Sequence, residues 1–278
     1  MAAIPAITRT QITEEPLKPF MNTVKSEWTK LVTHRNSHMM LLLAAVLSIG
    51  VSALAAWGTG FSWSEWSASD QANFDPIQSS MLGLFFAGIV SLVIAANIVT
   101  NEYSSGMIRQ TFTVTPHRPQ VLLAKMAVVV AYLVLPLLVL TYGSMWIAQV
   151  IMGNYGMPTA DLFGSDFTTI FWFGISGLYY PILTVAIAFL LKTSAATIAT
   201  VMVTMFFPAM FGGLFPRVVQ ERVLALLPGN AVDAMTMGHL NPDYAQYLDR
   251  PWAALVALAW LVGLTGLAIW NLNRRDVG

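Results

Sequence analysis

Residues 101–125 read NEYSSGMIRQTFTVTPHRPQVLLAK and separate two long apolar runs of the chain. The Ser-Ser-Gly sequence at 104–106 is able to end one helix, and Pro116 lies where another can begin. Between these points Ile108 and Phe112 are four residues apart, so they share one face of a helix. The segment therefore predicts a short amphipathic helix at a membrane surface, where a partner outside the bilayer could push on it.

The composition of the chain indicates an integral membrane protein. Of its 278 residues, 56% are hydrophobic and only 10% are charged, and the mean hydropathy is +0.64. An ordinary soluble domain has roughly a quarter of its residues charged. The chain contains no cysteine, which excludes disulfides and cysteine-ligated metal sites.

Long runs without charge predict the membrane-spanning helices. Each run provides the roughly 20 residues that a helix needs to cross the hydrocarbon core, and none shows the period-two alternation of a barrel strand. We predict an all-α membrane protein with six spans, at about 39–57, 77–100, 121–152, 167–191, 195–214 and 252–270. The third contains Pro136, which predicts a tilt or a kink.

The remaining segments complete the predicted domain organisation. Residues 1–17 are expected to form a flexible cytoplasmic tail, and residues 39–278 the six-span transmembrane domain. Residues 18–38 carry apolar side chains on one helical face with lysines beside it, which is typical of an interfacial connecting helix; a soluble amphipathic helix is the alternative. The sequence between 215 and 249 predicts short re-entrant helices before the sixth span.

The distribution of basic residues predicts the orientation. If the N-terminus lies inside, eleven basic residues lie on the inner side and three outside, which favours two cytoplasmic termini in a multi-pass protein of the plasma membrane. The inner residues are Arg9, Lys18, Lys25, Lys30, Arg35, Arg109, Arg118, Lys125, Lys192, Arg274 and Arg275, and the outer residues are Arg217, Arg222 and Arg250.

Several kinds of catalytic chemistry have no motif in this chain. It contains no G-x-x-x-x-G-K-[ST] phosphate loop, no H-E-x-x-H metal motif and no G-x-S-x-G nucleophile elbow. Ionisable residues are absent from the middle of each predicted span, which argues against an ion-coupled relay. We therefore expect no catalysis and no cofactor in this chain, with a standalone carrier or channel and a membrane enzyme as the weaker alternatives.

The central segment matches the pattern E-Y-x-x-G-x-I-R-x-x-F-x-x-x-P-x-R, followed by a lysine. The matching residues are Glu102, Tyr103, Gly106, Ile108, Arg109, Phe112, Pro116, Arg118 and Lys125. This pattern resembles the type 2 family of ABC transporter permeases. The sequences at 26–31, 227–232 and 274–276 are similar to that family as well, and Met107 departs from it where the family usually has threonine.

The resemblance implies the transmembrane subunit of an ATP-driven exporter. Two separate ABC ATPase subunits would bind ATP and Mg²⁺. A second permease would complete a homodimer or a pair of sister subunits in the lipid bilayer. No nucleic-acid partner is expected. A coupling helix at about 106–115 would fit a cleft on the ATPase, with Ile108 and Phe112 as packing contacts and Arg109 as a polar contact. Independently of the resemblance, Glu102 and Arg109 lie on either side of the break at 104–106 and could pair across it.

The resemblance also implies a substrate pathway along spans two and five. Bulky residues of span five suit a hydrophobic or amphipathic substrate, such as a drug, an antibiotic peptide or a lipid-like molecule. The alternative is that they face lipid or pack inside the protein. These residues are Met202, Met205, Phe206, Phe207 and Met210.

Overall fold

The computed structural model describes residues 17–236 and 245–274, and these residues form α-helices with no β-strand. The predicted all-α fold is therefore confirmed for the described chain. The helices are α1 Leu17–Thr33, α2 Arg35–Ser62, α3 Ala68–Ala72, α4 Pro76–Ser80, α5 Leu84–Ser104, α6 Met107–Val114, α7 Arg118–Asn154, α8 Phe167–Ser176, α9 Tyr179–Leu191, α10 Ser194–Phe211, α11 Arg217–Arg222, α12 Pro228–Thr236 and α13 Arg250–Arg274.

Five helical segments of the described residues are long and apolar enough to cross a membrane. They are Arg35–Glu65, Pro76–Ser104, Arg118–Asn154, Phe167–Leu191 and Arg250–Arg274. The predicted span at 195–214 coincides with α10, whose apolar portion Ser194–Phe207 is shorter than the others. Five spans are thus found by length and composition, and the sixth stays a prediction.

The helix α2 packs on its neighbours through small residues. Its buried residues are small, including Ser48, Ser52 and Ala56, whereas Leu42 and Leu54 on the opposite face are more than half exposed. Helices in lipid gain little from burying leucine, because lipid tails are equally apolar, and they associate through small residues that allow close approach. The pattern of α2 fits that rule.

The contact between α2 and the start of α5 is especially close. A Cβ atom added at Gly83 would lie 1.9 Å from the backbone oxygen of Ser48, so only glycine fits there. The Ser52 hydroxyl donates to the Ser80 carbonyl oxygen at 2.9 Å and accepts from the Gly83 N–H at 3.2 Å. These bonds join the two helices at one end of the bundle.

The long helix α7 is the centre of the bundle. It contacts α1, α2, α5, α8, α9 and α13, and it continues as a helix across Pro136. The predicted fourth span consists of two helices, because α8 ends at Ser176 and α9 begins at Tyr179. An apolar run does not distinguish one long helix from two shorter ones in sequence.

The ends of several helices differ from the sequence prediction. The interfacial helix α1 ends at Thr33, and only His34 separates it from α2, so residues 35–38 belong to the first spanning helix. Near the sixth span, α11 ends at Arg222 and α12 begins at Pro228, where proline suits the first turn. The predicted flexible tail lies outside the described residues except for Leu17, which belongs to α1.

Candidate functional site

The short helix α6 begins where the sequence pattern places it. Gly106 precedes it with a φ of +74°, in the left-handed region that glycine adopts without steric cost. The glycine lets α5 stop at Ser104 and the chain turn at once into α6, which ends at Val114. The two helices are thus joined by a tight turn.

The apolar stripe of α6 packs on the protein's own core. Ile108 is 2% exposed and Phe112 is 9% exposed, and both belong to the main hydrophobic cluster with Leu31 of α1 and Leu122 of α7. The stripe is therefore occupied by this chain, whereas the sequence prediction had assigned it to a partner. The face of α6 that remains exposed consists of Met107, Arg109, Gln110, Thr113 and Val114.

Arg118 fixes the start of α7 against the far end of the chain. Its Nη1 donates to the Leu272 carbonyl oxygen of α13 at 2.8 Å, and its guanidinium carbon lies 5.5 Å from the centre of the Phe112 ring. The adjacent Pro116 is exposed in the link between α6 and α7. Arg118 therefore connects α6, α7 and α13 rather than projecting toward solvent.

Tyr103 is half-buried on the last turn of α5. Its ring lies 6.2 Å from the ring of Phe189, and the Nζ of Lys192 lies 5.5 Å from its centre. Tyr103 thus anchors the turn between α9 and α10 beside the end of α5.

Glu102 is buried at the end of α5 and pairs with two lysines. Its Oε1 lies 2.8 Å from the Nζ of Lys30 and 2.9 Å from the Nζ of Lys125. The predicted pairing of Glu102 with Arg109 is wrong, because Arg109 lies on the exposed face of α6 while Glu102 points into the protein. Thr111 of α6 instead donates its hydroxyl to Oε2 of Glu102 at 3.4 Å.

A second carboxylate completes this arrangement. Glu27 of α1 is 1% exposed, and it accepts from Lys30 at 2.6 Å and from Lys125 at 2.5 Å. Lys125 is completely buried and also donates to the Ile98 carbonyl oxygen at 3.0 Å. We call these four residues, Glu27, Lys30, Glu102 and Lys125, the charge cluster.

The charge cluster joins the three helices α1, α5 and α7 through groups that neutralise one another. Two carboxylates and two ammonium groups sum to zero, so burial leaves no net charge, although it raises the cost of removing any one member. Burial by itself would lower the pKa of Lys30, but hydrogen bonds and charges from Glu102 and Glu27 raise it above 10.5. Lys30 is therefore charged throughout the neutral range, and its stabilising contribution is lost only as the pH rises through that raised pKa.

Sequence reasoning missed the charge cluster because it assigned the charges of α1 to a membrane surface. Two signals were present in the sequence. Glu27 precedes Lys30 by three residues, the spacing of a helical ion pair, and Lys125 stands alone within the apolar sequence VLLAKMAVVV. A lysine in such a run needs a buried partner. The pattern does not reveal that its partners come from α1 and α5.

A cleft separates α1 from α6 on the outer surface of the charge cluster. Its volume is about 480 Å³, and polar side chains from both helices line it, including Asn22, Ser26 and Gln110. His117, in the link before α7, lines it as well. Glu27 and Lys30 also reach this cleft. A protein inserted here would contact the exposed side of α6 and the cluster beneath it.

The five residues predicted to line a substrate pathway do not share one surface. Met205 and Phe206 line a cavity at the opposite end of the bundle, whereas Met202 packs against a core cluster. The Phe207 ring lies 5.5 Å from the ring of Phe211, and Met210 is 70% exposed. Only Met205 and Phe206 are therefore brought to a common cavity.

Membrane-length helices joined by a short amphipathic helix define a multi-pass helical membrane protein. The family model described as ABC-2 family transporter protein matches residues 23–210, which include α6 and all four members of the charge cluster. The chain therefore belongs to the ABC-2 transporter family, and the resemblance seen in the sequence is confirmed. Curated protein sequences gave no match.

Family membership has direct consequences for this chain. ABC-2 proteins are membrane permeases, typically non-enzymatic transmembrane subunits that associate with an ABC ATPase. The chain is accordingly a membrane protein of an ABC transport system.

Proposed function

We propose that this chain is the permease subunit of an ABC exporter for hydrophobic or amphipathic substrates. Two separate ATPase subunits would hydrolyse ATP with Mg²⁺, and a second permease, either another copy or a sister chain, would complete the transport path. The observation that carries this proposal is α6, a short helix with one buried face and one exposed face, which contacts the charge cluster through Thr111.

The exposed face of α6 is the part that would meet the ATPase. Arg109 keeps its proposed role as a polar contact, because its side chain is free to reach a partner beside Gln110 and Thr113. Ile108 and Phe112 take a different role in this proposal. They hold α6 against the permease core. A displacement of α6 by the ATPase would therefore move the core helices and would not only rotate α6.

The charge cluster provides the route inward from α6. Thr111 touches both Glu102 of α5 and Lys30 of α1 through its hydroxyl. Glu27 and Lys125 then extend these contacts to α7. Charge-assisted hydrogen bonds in a water-poor site have strict geometry, so a displacement of α6 is transferred to three helices together.

In this proposal, the end of the bundle that contains α1 and α6 lies on the cytoplasmic side of the plasma membrane. The uneven distribution of basic residues supports that orientation. It also puts both chain termini on the cytoplasmic side, where an ATPase can reach the cleft between α1 and α6.

The test compares two charge reversals at the same end of the bundle. The chain is reconstituted in liposomes with its ABC ATPase, and ATP-dependent transport and co-purification are measured. We expect Arg109→Glu to lower both by about tenfold, equivalent to about 1.4 kcal/mol of docking energy. Arg35→Glu is the matched control, because Arg35 is equally exposed but lies on α2. Equal behaviour of the two variants would refute the docking assignment.

The absence of cysteine from the chain permits a direct second measurement. We expect a single cysteine at Gln110 to cross-link to the ATPase, and one at Asp70, which is exposed on α3 at the other end, to give no cross-link. Because the ATPase is cytoplasmic, the same result tests the orientation. Transport that persists without ATP under an ion gradient would instead support a standalone carrier.

A further inference from the structure

A second feature of the molecule is a cavity at the end of the bundle opposite α6. Its volume is about 500 Å³, within the range of sites for small ligands. It lies between α5, α7, α8, α9, α10 and α12, so most of the bundle contributes to its wall. Neither the charge cluster nor α6 takes part in it.

The wall of this cavity is predominantly apolar and aromatic. Phe85, Phe173 and Phe206 line it, and the rings of Phe85 and Phe206 lie 5.1 Å apart. Aromatic faces attract both apolar groups and cations. Gly88 contributes open space, because a Cβ atom added there would have no neighbour within 4 Å.

One carboxylate interrupts the apolar wall. Asp233 of α12 is the only acidic residue among the described residues that line the cavity, and no basic residue of the described chain forms an ion pair with it. The other titratable group in the wall is Tyr180 of α9. The described lining residues of α5, α7, α8 and α10 contain neither acidic nor basic side chains.

Asp233 is both accessible and removed from bulk water. A large part of its surface is open, and it lines a cavity that is walled by several helices. The surrounding protein therefore reduces its solvation, and this burial raises the pKa of Asp233 to about 6. A carboxylate in such a place is stabilised by a cation that enters the cavity with it.

We propose that this cavity binds a hydrophobic monocation, with its charge against the Asp233 carboxylate and its apolar body against the aromatic wall. The inference rests on the proposed function in one respect, since it names the class of substrate that the permease would export. One carboxylate matches one positive charge, and the wall offers no second anionic group within the described residues. An uncharged lipid chain or a second copy of the protein would gain nothing from the carboxylate.

The test uses two probe ions of the same shape and opposite charge, tetraphenylphosphonium and tetraphenylborate. Binding of each radiolabelled ion to the purified chain is measured in lipid nanodiscs without ATPase or ATP, near pH 7.5. We expect the phosphonium to bind at least about tenfold more tightly than the borate. This comparison uses the unaltered protein, so it does not depend on whether a variant folds. Equal binding of the two ions would refute the proposal.

Variants then locate the site. We expect Asp233→Asn to weaken phosphonium binding by about tenfold without affecting the borate. Asp249→Asn is the matched control, because Asp249 is an exposed aspartate just before α13 that does not line the cavity. Gly88→Leu should fill the cavity and block phosphonium binding without changing charge. If Asp233→Asn binds the phosphonium as the unaltered protein does, the assignment of the site is wrong.

The outcomes separate this inference from the proposed function. Binding that depends on Asp233 without any ATP-dependent transport would leave the cation site standing and refute the exporter proposal. ATP-dependent transport of uncharged substrates with no phosphonium binding would support the exporter proposal and refute the cation site.

Discussion

At the end of the bundle that holds α6, four charged side chains neutralise one another, whereas at the other end the described lining of an apolar cavity contains one carboxylate, that of Asp233. The charge cluster is closed, since each member is held by the others and Lys125 has no exposed surface. Asp233 is open to its cavity. Paired charges fix the relative positions of helices, whereas a carboxylate without an ion-pair partner is stabilised when a cationic ligand binds beside it.

This difference assigns different tasks to the two ends. The closed end suits mechanical transmission, because a rigid contact moves its helices together. The open end suits recognition, because a cationic ligand that binds reversibly would stabilise the Asp233 carboxylate. Three measurements test this difference between the two ends.

The largest effect is expected at the closed end, from Lys125→Met. Methionine retains an unbranched apolar stem but leaves Glu27 and Glu102 to share one lysine in a buried site. We expect the free energy of unfolding to fall by about 3–5 kcal/mol. Unfolding of the purified chain in detergent, followed by circular dichroism, measures this change.

A double variant supplies the control for that measurement. Lys125→Met combined with Glu27→Gln removes one charge of each sign, and it should recover part of the lost stability. If the single variant were as stable as the unaltered chain, the cluster would have no role in holding the helices together.

A smaller effect is expected at the helix contact near the open end. Gly83→Ala would force a methyl group against the Ser48 carbonyl oxygen, and such overpacking costs about 1–3 kcal/mol. Gly50→Ala is the matched control, because it lies on the same helix as Ser48 and has nothing within 4 Å. In the same unfolding assay, Gly50→Ala should be neutral or slightly stabilising. Equal losses in both variants would argue against the close contact.

The smallest effect is the pH dependence that distinguishes the two ends. Between pH 5 and pH 7 the carboxyl of Asp233 passes through its raised pKa of about 6 and becomes anionic, so phosphonium affinity should rise about tenfold. The charge of Lys30 in the charge cluster should stay constant over this range, because its pKa is raised above 10.5. Binding to Asp233→Asn should show no such rise, and a rise in that variant would point to another group.

Much of the architecture follows from the sequence because lipid imposes a simple requirement. A backbone in hydrocarbon must satisfy its hydrogen bonds internally, so the long apolar runs become helical. The short helix after Gly106 follows equally directly, from a glycine that permits a left-handed turn and a proline that restarts the chain. These are local effects, and local patterns reveal them.

The candidate sites depend on contacts that no local pattern contains. The spacing of Ile108 and Phe112 predicts a buried face, but the same spacing serves a partner's surface and the chain's own core. In the same way, Glu27 and Lys125 are 98 residues apart in the sequence, and nothing in the local pattern indicates that they form a hydrogen bond. Which apolar face meets which neighbour is decided by helix packing.

Composition, helix length and a local motif are therefore enough to predict a helical membrane protein, its permease family and the short helix α6. Only the folded chain shows that Glu102 pairs with two lysines, that the apolar stripe of α6 faces inward, and that Asp233 opens into a cavity. These features join residues that are far apart along the chain. Charges and cavities are defined by residues from several helices, and only folding brings those helices together.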